Sequence, residues 1–300
     1  MQALARYAMS GFWPAVLVVS LLGIGAWILF PLMYLSGALL AMVAMQLGPM
    51  KAIQVLVACL LLQGVAGAAL IASPMSAMAL ASFLWVPVVA LGGRVWQRAS
   101  LPSALSMLAV LGLLAVVAFY ALHDDPALWW QQRVERMLTS QLGQLEGGAE
   151  TEQNLSAVLQ GVAPYLPGAF AAVWVMGLAV SLVMGRWLQS RLYRPGAFGA
   201  EFQAWRLPRG WSLVALVCAA GALWQADAAV NLLVPLTVIL CLPALGLLHG
   251  LLQGRSAGRI YLGLLYVALL VMPHLAMILA GVSLLDSWMD FRGRARKSES

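Results

Sequence analysis

Apolar residues in this chain run in stretches of about twenty, each closed by a proline, a glycine or a short cluster of charge, and none alternates with polar residues at a period of two. Such a stretch matches one helical crossing of a hydrocarbon core about 30 Å thick, whereas barrel strands would be about ten residues long and alternating. Because the bilayer offers backbone groups no water, helices must satisfy them internally. The pattern predicts an all-α fold, a polytopic transmembrane helix bundle of about nine apolar segments. These are Phe12 to Phe30, Leu32 to Leu47, Ala52 to Ile71, Met75 to Gly93, Ser103 to Leu122, Pro167 to Trp187, Trp211 to Gln225, Ala228 to Leu252 and Ile260 to Leu285. The first two are expected to separate near Pro31, since proline breaks a helix at or near itself.

Between the fifth and sixth segments the period changes. His123-Asp124-Asp125-Pro126 is a helix start, with an aspartate to cap free N–H groups and proline at the first helical position. From Trp129 onward Val134, Met137, Leu138, Leu142 and Leu145 fall at helical spacing between Arg133, Glu135, Arg136, Gln141 and Gln144. Gly147-Gly148 interrupts this stripe, and Leu155, Val158, Leu159 and Val162 make a second. Residues 124–163 thus read as an amphipathic extracytoplasmic insertion, too polar to span and anchored by Trp129 and Trp130.

Charge orients the bundle. Lys51, Arg94 with Arg98, the basic loop 188–209 with its flanking Arg186, and Arg255 with Arg259 all fall cytoplasmic when the crossings alternate from a cytoplasmic N-terminus, as the positive-inside rule requires. Asp124, Asp125, Glu146, Glu150 and Glu152 fall outside. The conflict is the tail, 286–300: a ninth crossing would carry Arg292, Arg294, Arg296 and Lys297 outward. Pro273 lies midway along that last run. A proline-broken re-entrant hairpin would return the tail to the cytoplasm, and it is preferred over a single crossing because no cations are then translocated.

Composition agrees with this reading: 63% of residues are hydrophobic and 9% charged. The net charge of +6 is explained by topology, without nucleic acid. Residues 1–300 form one membrane domain with no separate soluble unit expected. The N-terminal run continues apolar to Leu47, too long for a signal peptide. Cys59, Cys218 and Cys241 stand singly in apolar runs, so no disulfide framework, metal site or cofactor is expected.

Two stripes of small residues, Gly177-x-x-x-Ser181-x-x-x-Gly185 and Gly246-x-x-x-Gly250-x-x-x-Gly254, let helix backbones approach closely. They predict packing inside the bundle, or else a homo-oligomer or partner-subunit interface. Polar residues at membrane depth are costly and mark function or interhelical bonds. Gln54, Gln63 and His274 are the ligand-lining candidates, His274 because Pro273 frees a backbone carbonyl beside it. Asp286 and Asp290 lie one turn apart, which suits a cation or acid–base pair, but no third ligand is placed. They are read first as partners of arginines, with Trp288 and Phe291 as interfacial anchors. No catalytic motif is present, so the chain is not read as an enzyme.

Phe202-Gln-Ala-Trp205-Arg206-Leu-Pro208 and Leu284-Leu-Asp286-Ser-Trp288-Met-Asp290-Phe-Arg292, with the outer amphipathic segment, resemble the YybS-like family of bacterial inner-membrane proteins, whose activity is not established. In layout the chain is also similar to the membrane-embedded substrate-binding subunits of energy-coupling-factor vitamin transporters and to the cell-shape protein MreD. The resemblance implies a six-helix core with additions and supplies no catalytic residues. The expectation is a bacterial inner-membrane protein that binds a small molecule or serves as a transport subunit without its own energising domain. The alternative is a scaffold in an envelope or cell-shape assembly. The partners expected are the lipid bilayer and a membrane subunit or second copy.

Overall fold

A computed structural model describes residues 1–98, 100–142, 156–253 and 255–291. Gly254, Arg292 with the rest of the basic tail, and Glu146, Gly147, Gly148, Glu150, Glu152 and Leu155 lie outside the described residues. The described chain is helical: α1 (Gln2–Ala8), α2 (Phe12–Gly25), α3 (Leu32–Leu47), α4 (Pro49–Ile71), α5 (Pro74–Arg98), α6 (Leu101–Leu122), α7 (Pro126–Leu142), α8 (Leu166–Tyr193), α9 (Ala197–Ala204), α10 (Arg209–Leu223), α11 (Asp227–Leu252), α12 (Gly258–Val271) and α13 (Leu275–Met289). Further helical turns over 156–162 and a 3-10 turn at Ala163–Tyr165 lead into α8.

Five helical stretches, α4, α5, α6, the one ending in α8 and α11, are long and apolar enough to cross a membrane, the mark of a membrane protein. Helices α2, α3, α10, α12 and α13 are apolar but only 14 to 16 residues long. At about 1.5 Å per residue they fall short of a core about 30 Å thick. Apolar runs and helices thus do not share their bounds. The first expected segment is a case in point: α2 stops at Gly25, and residues 26–31 form turns in which Trp27 N and Leu29 N donate to Ile24 O and Gly25 O. Pro31 bars helix continuation, and the nearby glycines carry no side chain to hold the last turn.

Helix α3 sits at the centre, with every residue from Ser36 to Met45 buried. It packs against α2, α4, α5 and α8, and α8 in turn packs against α6 and α11. On the far side of α11 lie α10, α13 and α9. Within this core Trp85 is fully buried and donates through Nε1 to Ser36 Oγ at 2.9 Å. A proline inside α5, Pro87, cannot donate to Phe83 O, and that carbonyl instead accepts from Trp174 Nε1 of α8 at 2.8 Å. The kink-forming residue thus frees an acceptor that ties two helices together.

Hydrogen bonds between helix ends sort the bundle into two ends. One gathers the C-termini of α3, α5, α8, α11 and α13 with the N-termini of α4, α6 and α10, through contacts such as Gln189 Nε2 to Met45 O and Ser212 Oγ to Ser287 Oγ. Lys51, Arg94, Arg98, Arg186, Arg191, Arg194, Arg206, Arg209, Arg255 and Arg259 lie in the last two turns of helices, in their first turns or in the loops between them on this basic end. The opposite end gathers the C-terminus of α6, the N-termini of α8 and α11, and α7 with Asp124 and Asp125. Asp125 Oδ1 accepts from Leu128 N at 2.9 Å, the cap expected at the start of α7. Trp129 and Trp130, expected to anchor in lipid, pack on Phe119 of α6, and Trp130 also meets Phe170 of α8. Aromatic stacking docks the amphipathic helix onto the bundle itself.

The last apolar run is broken at 272–274 into α12 and α13. The C-terminus of α13 lies beside the N-terminus of α10 at the basic end.

Candidate functional site

The small-residue stripe of α8 is packed inside the fold, and that of α11 is packed at Gly246, while Gly250 is exposed and Gly254 lies outside the described residues. On α8, Ser181 Oγ donates to Tyr34 O at 3.2 Å. A Cβ built on Gly185 would lie 2.6 Å from Ala38 O, and one on Gly177 would lie 2.6 Å from the Tyr34 ring. The stripe is the surface on which α3 and α8 cross, with Gly37 of α3 facing Ser181. On α11, a Cβ on Gly246 would sit 2.3 Å from Phe202 O, so this stripe receives the short helix α9 of the basic loop and not another apolar helix. Gly250 faces Gln203 of the same helix at 3.9 Å.

The three ligand-lining candidates are not brought together. Gln54 is exposed on the outer face of α4, and His274 is exposed in the turn between α12 and α13, so neither lines a cavity with Gln63. The expectation of a shared polar cavity is corrected on this point: nine positions separate Gln54 from Gln63, two and a half helical turns, and that half turn sends them to opposite sides of α4.

Gln63 is 1% exposed. It borders a partly open cleft of about 260 Å³ between α2, its following turn, α3, α4 and α5, with Trp27, Phe30, Met33, Leu80 and Ala81 among its walls. Its Nε2 makes a long 3.4 Å bond to Ser20 O, and its Oε1 has no partner among the described residues. A Cβ on Gly23 would fall 2.3 Å from that Nε2 and 2.6 Å from the Trp85 ring, so the bare glycine makes room for the amide. A buried amide oxygen without a donor costs about 1–3 kcal/mol, more than packing requires of an apolar wall.

At the basic end the loop after α8 is locked by one acid. Glu201 Oε1 accepts from Leu101 N at 2.5 Å, and its Oε2 accepts from Arg186 Nε at 2.8 Å. Arg186 Nη1 donates to Gln189 Oε1 at 2.6 Å, and Gln189 Nε2 reaches Gln46 Oε1 at 3.0 Å. One carboxylate therefore caps α6 and fastens α9 to α8. The motif residues expected to anchor the tail do meet: Arg206 pairs with Asp290, and the Arg209 guanidinium lies 5.3 Å from the centre of the Trp288 ring. Asp286 is buried, and its Oδ1 accepts from Phe291 N at 3.1 Å. The two aspartates thus hold the end of α13 without forming a shared cation site. Trp205 is buried, Pro208 exposed, and Arg292 outside the described residues. Among the described residues no cluster of three or more His, Cys, Asp or Glu is arranged to hold a metal ion, and Cys59, Cys218 and Cys241 are buried free thiols.

Three polar residues that no motif or spacing singles out, Asn231, Glu201 and Gln189, tie helices together. Asn231 Oδ1 accepts from Gly168 N at 2.6 Å, while Nδ2 faces Tyr120 Oη, Pro164 O and Asp227 O at 2.7 to 2.9 Å. Its place near the end of an apolar run hid this, because an asparagine there also serves as an ordinary helix-end residue. Only the arrival of α6 and α8 from elsewhere in the chain makes it a junction.

No family model, no curated protein and no solved structure matches this chain.

Proposed function

We propose that this protein binds a small, largely apolar molecule in the cleft beside Gln63, either as a carrier or as the membrane subunit of a transporter energised by a partner. The observation that carries the reading is that Gln63, whose buried Oε1 has no partner among the described residues, belongs to the lining of a cleft that is otherwise apolar. Ligand sites combine such walls with a few placed polar groups, and about 260 Å³ lies just below their usual range of roughly 300–1,000 Å³. The fitting ligand is compact and brings one N–H or O–H donor. Close packing of the α8 stripe against α3 uses one of the two faces that an assembly partner could have met. The resemblance to YybS-like proteins belongs to the same proposal, since it implies a bundle of this layout.

Small molecules released by denaturing the purified protein and identified by mass spectrometry test this reading. The native chain is expected to release one compound in roughly stoichiometric amount, and Gln63→Leu to release little of it. Because leucine removes an unsatisfied amide, the variant should unfold at the same temperature as the native chain or higher. Loss of ligand is thereby separable from loss of fold. A native protein that carries no compound, or a Gln63→Leu variant that carries as much, overturns the reading and leaves the scaffold role.

The proposed placement is the bacterial inner membrane with the basic end and the N-terminus in the cytoplasm, as the positive-inside rule directs. In that orientation α12 and α13 form a re-entrant hairpin rising from the cytoplasmic side, and the C-terminal tail is cytoplasmic. Support comes from the pairing of Arg206 with Asp290, which joins the end of α13 to the basic loop. A C-terminal alkaline phosphatase fusion is expected to be inactive and a green fluorescent protein fusion fluorescent; the opposite pair of results refutes the hairpin.

A further inference from the structure

A second cavity lies at the basic end, far from Gln63. It is about 480 Å³ in volume and is bordered by Ser100, Pro102, Arg186, Glu201, Trp205 and Arg206. Its chemistry is an excess of donors. Both oxygens of Glu201, the one acid on its wall, are already engaged by Leu101 N and Arg186 Nε. No acceptor pair is left there to hold a cation. Arg186 uses Nε and Nη1 in those contacts, which leaves Nη2 without an assigned partner in the Glu201 and Gln189 network. Arg206 meets Asp290 through Nη2 and is itself exposed at the pocket's edge. The Ser100 hydroxyl accepts from Ser103 N at 3.3 Å and keeps its own proton to donate, while Arg94 Nε binds Ser103 Oγ at 3.2 Å just behind it. Trp205 is 3% exposed, and its indole N–H is buried with no partner among the described residues. The first amides of α6 are not available to a ligand, since Leu101 N is held by Glu201 and Ser103 N by Ser100 Oγ.

Two guanidiniums, Arg186 and Arg206, and the Ser100 hydroxyl thus border a space whose nearby acids, Glu201 and Asp290, are each held by an arginine. A group with several acceptor oxygens and negative charge fits this arrangement, and arginine forks match the spacing of phosphate oxygens. The volume exceeds one phosphate and admits the substituent it is attached to. We propose that this pocket binds a phosphate ester or phosphate anion, presented either by a phospholipid headgroup or by a water-soluble phosphate. The site is separate from the Gln63 cleft and stands independently of the ligand proposed there.

Native mass spectrometry of the full chain distinguishes the sources. In one arm, detergent-solubilised protein is mixed with phosphatidylglycerol or with a galactosyl diacylglycerol that lacks phosphate. In the other, lipid-depleted protein is titrated with inorganic phosphate against chloride at equal ionic strength, and the thermal transition is read. Retention of phosphatidylglycerol over the galactolipid assigns the headgroup, and an upward shift with phosphate alone assigns a soluble ligand. Arg206→Gln should weaken whichever response is seen at least about tenfold, as the loss of one hydrogen bond to a charged group implies. Asp290→Asn breaks the same ion pair but releases Arg206 to the pocket, so it should bind equally or more tightly. Equal retention of both lipids with no phosphate shift overturns the proposal. So does an Asp290→Asn variant weakened as much as Arg206→Gln, which would make the arginine merely structural.

Discussion

Replacing Asn231 by leucine is expected to destabilise the folded bundle by about 2–4 kcal/mol, measured as a drop in the mid-point of unfolding in mixed micelles. A single interhelical hydrogen bond in a membrane averages only about 0.6 kcal/mol, with a maximum near 1.7. The asparagine amide, however, serves Gly168 N, Pro164 O, Tyr120 Oη and Asp227 O together. Leucine would orphan the buried amide of Gly168, at a further cost of about 1–3 kcal/mol. Gly168→Ala should be as damaging for a different reason, because its Cβ would fall 2.6 Å from both the Cα and the carbonyl oxygen of Asn231. Pro235, one turn beyond, cannot donate to that same carbonyl, so the close approach of α8 uses a stretch of α11 already lacking its helical bond. A leucine variant as stable as the native chain would show that this end of the bundle is held by packing alone.

Gly185→Ala carries the other large effect. The added methyl would meet Ala38 O at 2.6 Å and the Ala41 Cβ at 2.8 Å, both on the central helix α3. Backbone cannot rotate away as a flexible side chain does, so α3 and α8 must separate. Because lipid tails are as apolar as leucine, helices in a bilayer are held by contact and not by burial from water, and lost contact is not recovered elsewhere. The expected cost is about 1–3 kcal/mol, the usual range for overpacking, net of the helix-propensity gain of about 1 kcal/mol. Gly281→Ala is the control. A Cβ there meets nothing within 4 Å, so the same gain in propensity should appear unopposed as a small stabilisation. Unfolding of both variants in the same detergent decides the matter: if they shift alike, the close crossing of α3 and α8 is not what the glycine serves.

Much of the layout was legible in the residues. The cap at Asp125 and the start of α7 at Pro126 are local chemistry and appear where expected. The small-residue stripe on α8 was readable as a packing face, since spacing by four places the residues on one side. Its partner was not, because nothing in Gly177, Ser181 or Gly185 names α3. The stripe on α11 shows the limit more sharply: the residues predict close approach, yet what approaches is Phe202 of a short helix in a basic loop. The polar candidates fared according to the same rule. Gln54 and Gln63 look alike in sequence, one exposed and the other 1% exposed, because which face of α4 meets α2 and α5 depends on neighbours from elsewhere in the chain.

Hydrophobic run length, loop charge and proline position by themselves determined a helical membrane bundle, its broken last segment and the gathering of cations at one end. These are one-dimensional properties, each set within a few turns of chain. Tertiary structure alone decided that Gln63 borders a cleft and Gln54 does not, that Glu201 caps a helix a hundred residues away, and that Arg206 reaches Asp290. In a bilayer the helices gain little by hiding apolar surface from one another, so their pairing rests on shape and on single polar contacts, which a residue pattern along one helix cannot specify.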